Sequence, residues 1–221
     1  MTVIHHPSEA VLMAYGAGSL GEGQALVVAA HLSSCPICRD HVASLEAVGG
    51  SLLDTIAPEA MTVGALEAIL ARLDDLPADI PPPPPPPAPA SLGIEVDLPA
   101  PLRAALTPDM SWQLTGPGIR QLVIHPERHP GGPSTRLLRI APGVRVPAHG
   151  HPGLELTLVL DGGYTDPLGH FGPGDVAELE ADTHHQPVTD RGRDCICLVS
   201  FDAPIEFQDA ALGPLQRLFG H

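Results

Sequence analysis

The sequence predicts an α+β chain in two domains, a small all-α part followed by an all-β sandwich or small barrel. Three observations predict it. Residues 81–87 are seven consecutive prolines inside the segment IPPPPPPPAPA. Before them, apolar residues recur at helical spacing. After them, short apolar runs alternate with Gly, Pro and Asp turns, as in a chain of strands. Proline has no backbone N–H and holds polyproline II, at ~3.1 Å per residue, so the run reads as a stiff linker and a domain boundary. The expected division is 1–78, a linker over 79–100, and 101–221.

The helices follow in order. Ser8 caps a first helix carrying Val11, Leu12 and Tyr15, which stops near Gly16 and Gly18. Ser19 and Glu22 match the S-x-x-E capping box of a second, which carries Leu26, Val27 and Ala30 and runs to about Leu32. Pro36 suits the first position of a third helix, with Ile37, Val42, Leu45 and Val48, ending at Gly49-Gly50. A fourth covers about Val63 to Leu73, with Leu66, Ile69, Leu70 and Leu73 at helical spacing. Some eighty residues of short helices have little core to share, and a metal would help them fold. The strands of the second part are expected in IRQLVIHP, TRLLRIAPG, LELTLVLDGG, DVAELE and CICLVSF.

Composition narrows the function. The formal charge is −15 and every cation is Arg, a balance that repels a phosphate backbone and argues against direct nucleic-acid binding. A basic protein partner suits it better. No basic start with an apolar run marks a signal peptide, and no apolar stretch approaches the ~20 residues of a membrane span. A cytoplasmic protein is expected. The four cysteines, spaced C-x-x-C and C-x-C, point to reduced thiols and not to a disulfide framework.

The first group with metal chemistry is H-x3-C-x2-C, formed by His31, Cys35 and Cys38. His31 falls in the last turn of the second helix, and the cysteines bracket the start of the third, where the helix dipole favours thiolates. Tetrahedral zinc needs a fourth ligand, and IHHPSEA offers His5 or His6. Here the chain resembles the zinc-binding anti-sigma factors of the ChrR type. HHPSEAVLMAYGAGSL, VVAAHLSSCPICRDH and LEAVGGSLLD carry the resemblance, which extends over nearly the whole chain. It implies that His6, His31, Cys35 and Cys38 bind zinc. It also implies that the apolar helix faces grip an extracytoplasmic-function sigma factor in a 1:1 complex.

The second group lies in GVRVPAHGHPGLELTLVLDG, residues 143–162, which reads G-x5-H-x-H-x3-E-x6-G, the first motif of the cupins. His149 and His151 are two apart, so both leave the same face of a strand, and Glu155 opens the next one. A looser second motif, GPGDVAELEADTHHQPV, supplies P-x-D and then a histidine. The resemblance assigns His185, although His184 is its neighbour and one residue flips the face. The second domain is thus expected to be an all-β cupin barrel. Three imidazoles and a carboxylate suit a divalent metal: zinc, iron, manganese, nickel or copper, with zinc expected.

Cys195 and Cys197 share one face of an apolar strand, either as core or as a redox-sensitive pair near the cupin metal. His41, His125, His129, His170 and His221 lack partners in sequence and are taken as surface groups. The resemblance implies a non-enzyme. In it the helical domain sequesters the sigma factor, and the cupin releases it on sensing singlet oxygen or organic hydroperoxide. The stiff linker leads to the further expectation that residues 1–80 suffice for inhibition. The alternative is a metal-dependent cupin enzyme, of dioxygenase or isomerase type, with a regulatory zinc domain.

Overall fold

The computed structural model describes residues 3–74, 92–126, 128, 132–181 and 183–207. The polyproline run, His129 and His221 lie outside the described residues.

Helix α1 spans Glu9–Gly16, and Val11 N–H donates to the Ser8 hydroxyl at 3.2 Å, the cap expected from sequence. Helix α2 spans Glu22–Leu32, but its N-cap is Gly21 and not Ser19. The Ser19 hydroxyl donates to Ala14 O at 3.1 Å in the turn leaving α1, while Gln24 Oε1 accepts from Gly21 N–H at 3.3 Å. Helix α3, Pro36–Leu53, has Cys35 as its N-cap. It continues through Gly49-Gly50 because neither glycine takes the left-handed conformation that ends a helix. Helix α4 is Ala65–Asp74. A short α5, Ala100–Ala105, lies across the expected linker boundary and had no clear sequence signal.

Among the described residues twelve strands follow: β1 Gln113–Gly116, β2 Ile119–His125, β3 Ser134–Ile140, β4 His149–Gly150, β5 Glu155–Asp161, β6 Tyr164–Asp166, β7 Gly169–Phe171, β8 Val176–Leu179, β9 His184–His185, β10 Val188–Thr189, β11 Cys195–Phe201 and β12 Glu206–Phe207. They pair as one six-stranded sheet, β1-β2-β3-β11-β5-β8, and two three-stranded sheets, β10-β6-β7 and β12-β4-β9. Among the described residues the ladders do not close into one continuous barrel.

The large sheet has two buried faces, and β5 shows how the sequence builds both. Leu156 and Leu158 join a cluster containing Val27, Val28 and Ala30 of α2. Val159 joins a second cluster with Tyr164, Phe171, Cys197 and Phe201. Helix α2 therefore lies on the outer face of the sheet, and helices and strands share one core. Close approach is possible because residue 23 is glycine: a Cβ there would fall 1.8 Å from Thr135 Oγ1. Beside it Gln24 Nε2 donates to Asp202 Oδ1 at 2.6 Å.

The far end of the helical part is different. Leu52 and Leu53 of α3 and Leu66, Leu70 and Leu73 of α4 are all at least 50% exposed. No described helix is long and apolar enough to cross a membrane.

Candidate metal centres

The first centre forms where α2 ends and α3 begins. His31 is fully buried, Cys35 is the N-cap of α3, and Cys38 lies in its first turn. His6 arrives on the extended segment before α1. His6 Nδ1 lies 3.4 Å from Cys35 Sγ and 3.3 Å from Cys38 Sγ, and His31 Nε2 lies 3.3 Å from Cys38 Sγ. One donor atom from each residue falls within 4.8 Å of all the others. A tetrahedral ion about 2.3 Å from sulfur and about 2.0 Å from nitrogen holds its ligand atoms roughly 3.3 to 3.8 Å apart. The geometry and donor set fit zinc. His5 is not part of the group. Its ring packs at a tilt against Phe171, centroids 4.3 Å apart, and its Nε2 faces His170 O at 3.1 Å.

Two of these ligands are oriented by the β part. His31 Nδ1 lies 2.9 Å from Gly174 O, which accepts its proton and leaves the Nε2 lone pair facing the sulfurs. The segment bearing His6 runs along β8, the edge of the large sheet. There Asp175 Oδ1 accepts from Ile4 N–H at 2.7 Å and His5 N–H at 3.0 Å, and Val176 N–H donates to His5 O at 3.0 Å. Glu178 accepts from Ser8 N–H at 2.7 Å. Burial lowers the His31 pKa against the pull of the Gly174 carbonyl, which keeps the imidazole neutral. Burial, with Cys35 alongside, pushes the Cys38 thiol up to about 12. An ion entering here must displace thiol protons, so its binding releases them.

The second centre gathers His149 of β4, His151, Glu155 at the start of β5 and His185 of β9, all buried and again with one donor atom each within 4.8 Å. Strand pairing sets His149 directly opposite His185. Their Nε2 atoms are 2.9 Å apart. His149 Nδ1 donates to Pro147 O at 2.7 Å and His185 Nδ1 donates to Asp166 Oδ2 at 2.9 Å. With both Nδ1 atoms protonated, the two facing Nε2 atoms both carry lone pairs, and a cation between them resolves the conflict. Glu155 Oε2 touches His151 Nε2, but neither makes an aligned hydrogen bond, and His151 Nδ1 has none either. Buried polar atoms left in this state fit a metal ion.

Burial lowers the His149 pKa to about 4, so this imidazole is neutral at pH 7. Burial would raise Glu155, but the adjoining His151 ring and the other nearby imidazoles outweigh it and bring the carboxyl down to about 2. His184 points elsewhere, its exposed ring lying against Gly150. Cys195 and Cys197 sit on β11 with their sulfurs 3.4 Å apart, both buried and free. The hydrogen bond shared with Cys195, with burial, raises the Cys197 pKa well above the usual thiol value.

Sequence reasoning missed the residues that back the ligands. Asp166 lies 19 positions from His185, and Gly174 lies 143 positions from His31. They also connect the centres. The hairpin of β6 and β7 pairs Tyr164 with Phe171 and Asp166 with Gly169, then continues into the Gly172–Asp175 turn. One end of the hairpin thus holds a ligand of the second centre, and the chain just beyond its other end holds the first.

Comparison with known proteins fits this arrangement. The family model of the ChrR cupin-like domain matches residues 103–203. The anti-sigma-E factor ChrR of Cereibacter sphaeroides is 44% identical over 211 residues, 94% of this chain and 93% of that protein. The crystal structure of Rhodobacter sphaeroides SigE in complex with the anti-sigma ChrR aligns with 43% identity and a TM-score of 0.72, covering 91% of this chain and all of that one. Helices bearing the Cys/His corner, a cupin-like β part and identity along almost the full length place the chain in the ChrR family of anti-sigma factors, regulatory proteins and not enzymes.

Proposed function

We propose that residues 1–78 bind and sequester an extracytoplasmic-function sigma factor in a 1:1 complex, and that the cupin-like part over 101–221 governs its release in the cytoplasm under oxidative stress. The observation that carries the reading is the exposed apolar surface of α3 and α4 in a chain so similar to a sigma-bound ChrR. An acidic chain presenting such a face suits a partner with basic residues around an apolar contact.

The two centres have separate roles in this reading. Zinc at His6, His31, Cys35 and Cys38 joins the ends of α2 and α3 and fixes the N-terminal segment. A divalent metal, with zinc expected, is held by His149, His151, Glu155 and His185. When bound, it supplies a Lewis-acidic ion inside the β part. Asp166 orients His185 and keeps its Nε2 free of protons. The signal, singlet oxygen or an organic hydroperoxide, acts on this shell or on Cys195 and Cys197. The β6–β7 hairpin offers a path from there to Gly174, Asp175 and the helices. Release requires that the altered shell favour one arrangement of helices and sheet over the other.

The test is a binding measurement. Replacing Leu66 and Leu70 with Ser removes apolar area already exposed in the free chain, so the fold and zinc content stay unchanged. Affinity for the cognate sigma factor is expected to fall by roughly tenfold or more. Unchanged affinity would move the binding surface elsewhere.

A further inference from the structure

The second centre borders a cavity that is partly open to solvent. His149, Glu155 and His185 line one part of it, and apolar residues such as Ile119, Ile140, Val146, Val199 and Phe201 line much of the rest. The polar groups there are almost all committed. Thr157 Oγ1 donates to Glu155 Oε1 at 2.7 Å, and Thr189 Oγ1 donates to Ala141 O at 2.7 Å. Cys197 Sγ is within hydrogen-bond distance of Cys195 Sγ.

Among the hydroxyls, Tyr164 is the exception. Its side chain lines the cavity and is only 4% exposed, yet its hydroxyl has no partner among the described residues. A buried hydroxyl without a partner costs about 1–3 kcal/mol relative to one that is satisfied. Its ring is held in place by stacking on Phe171 at 5.1 Å.

We propose that Tyr164 is the hydrogen-bond donor of a ligand site, and that the site takes a compact apolar molecule with one acceptor oxygen. The apolar wall sets the body of the ligand, and the lone uncommitted hydroxyl sets its polar atom. Burial, with the Cys197 thiol and the Glu155 carboxylate nearby, pushes the Tyr164 pKa well up, so the group remains an O–H and its complement is an acceptor. The proposal rests on the signal-receiving reading of the cupin-like part and gives it a ligand class. Tyr164 stacks on Phe171, the tilted His5 ring packs against the same Phe171, and His5 adjoins His6. A ligand bound at the hydroxyl therefore bears on the segment that completes the first centre.

The test uses the full-length, zinc-loaded chain and two fluorinated probes followed by 19F NMR. 4-Fluoroacetophenone carries the acceptor oxygen, and 1-ethyl-4-fluorobenzene has nearly the same shape without it. The ketone is expected to bind saturably, with NOEs from its methyl group to the Tyr164 ring, and Tyr164→Phe is expected to weaken it about tenfold. The hydrocarbon should bind wild type and variant alike. No saturable ketone binding, NOEs to other residues only, or equal ketone affinity in the variant would overturn the proposal. Oxidant-driven release of the sigma factor is measured separately on the same proteins. Ketone binding lost in Tyr164→Phe while release persists leaves the site standing and removes it from signalling. Release that needs His149 in a chain that binds no ketone preserves the sensing reading and discards the site.

Discussion

The two candidate centres invite comparison because the same chain builds them by opposite means. At the first, three of the four residues come from one helix–helix corner, and only His6 comes from elsewhere. Its donors are two sulfurs and two imidazoles, all four supplied by protein side chains. At the second, the donors come from β4, β5, β9 and the turn between β4 and β5, and three of them border a cavity. A centre closed on all sides by protein ligands stabilises a fold, whereas one that faces a cavity can meet a molecule. The difference teaches that what surrounds a bound ion decides the purpose it can serve.

The comparison can be broken most forcefully at the first centre. Cys38→Ser is expected to abolish zinc binding there and sigma binding with it, because structural zinc contributes folding free energy on the order of 10 kcal/mol in small domains. Metal analysis and a sigma pull-down check it together. A Cys38→Ser chain that binds sigma at full affinity without that zinc would show that the corner is not structural.

A smaller effect is expected at the second centre from Asp166→Asn. The amide cannot orient His185 as the carboxylate does, and metal affinity is expected to drop by about 10- to 100-fold with the fold intact. Competition with a zinc chelator measures it, and the first centre, which Asp166 does not touch, serves as the internal control.

Gly23→Ala sharpens the comparison without touching a ligand. The new methyl would collide with Thr135 Oγ1 and Ser200 Oγ, so α2 must lift from the sheet or the sheet must give way. A loss of about 1–3 kcal/mol in stability is expected, measured by denaturant unfolding, with both metals retained. Loss of zinc from the first centre in this variant would mean that helix docking and zinc binding are a single event.

Much of this was legible in the sequence, for a physical reason. Ligands brought together by local geometry leave a local pattern: His31, Cys35 and Cys38 fall on one corner, and His149, His151 and Glu155 alternate along strands. The choices between His5 and His6 and between His184 and His185 were not legible, because one residue reverses the direction of a side chain and only the neighbouring strand decides it. The supporting groups, Asp166, Gly174 and Asp175, act through space across long sequence separations and leave no spacing to read. Nor did Val27 and Val28 announce that they face a β-sheet: an apolar helix stripe looks the same whatever covers it. The α2 cap at Gly21 and the passage of α3 through two glycines show the same limit on a smaller scale.

The central claim is that the first centre serves to hold the sigma factor and the second to let it go. The most direct measurement is sigma-dependent transcription in vitro with full-length His149→Ala, before and after exposure to singlet oxygen. The account predicts full repression before exposure and full repression after it, where the wild-type chain releases its sigma factor. Release by His149→Ala at the wild-type level would contradict it, and so would failure of this variant to repress at all.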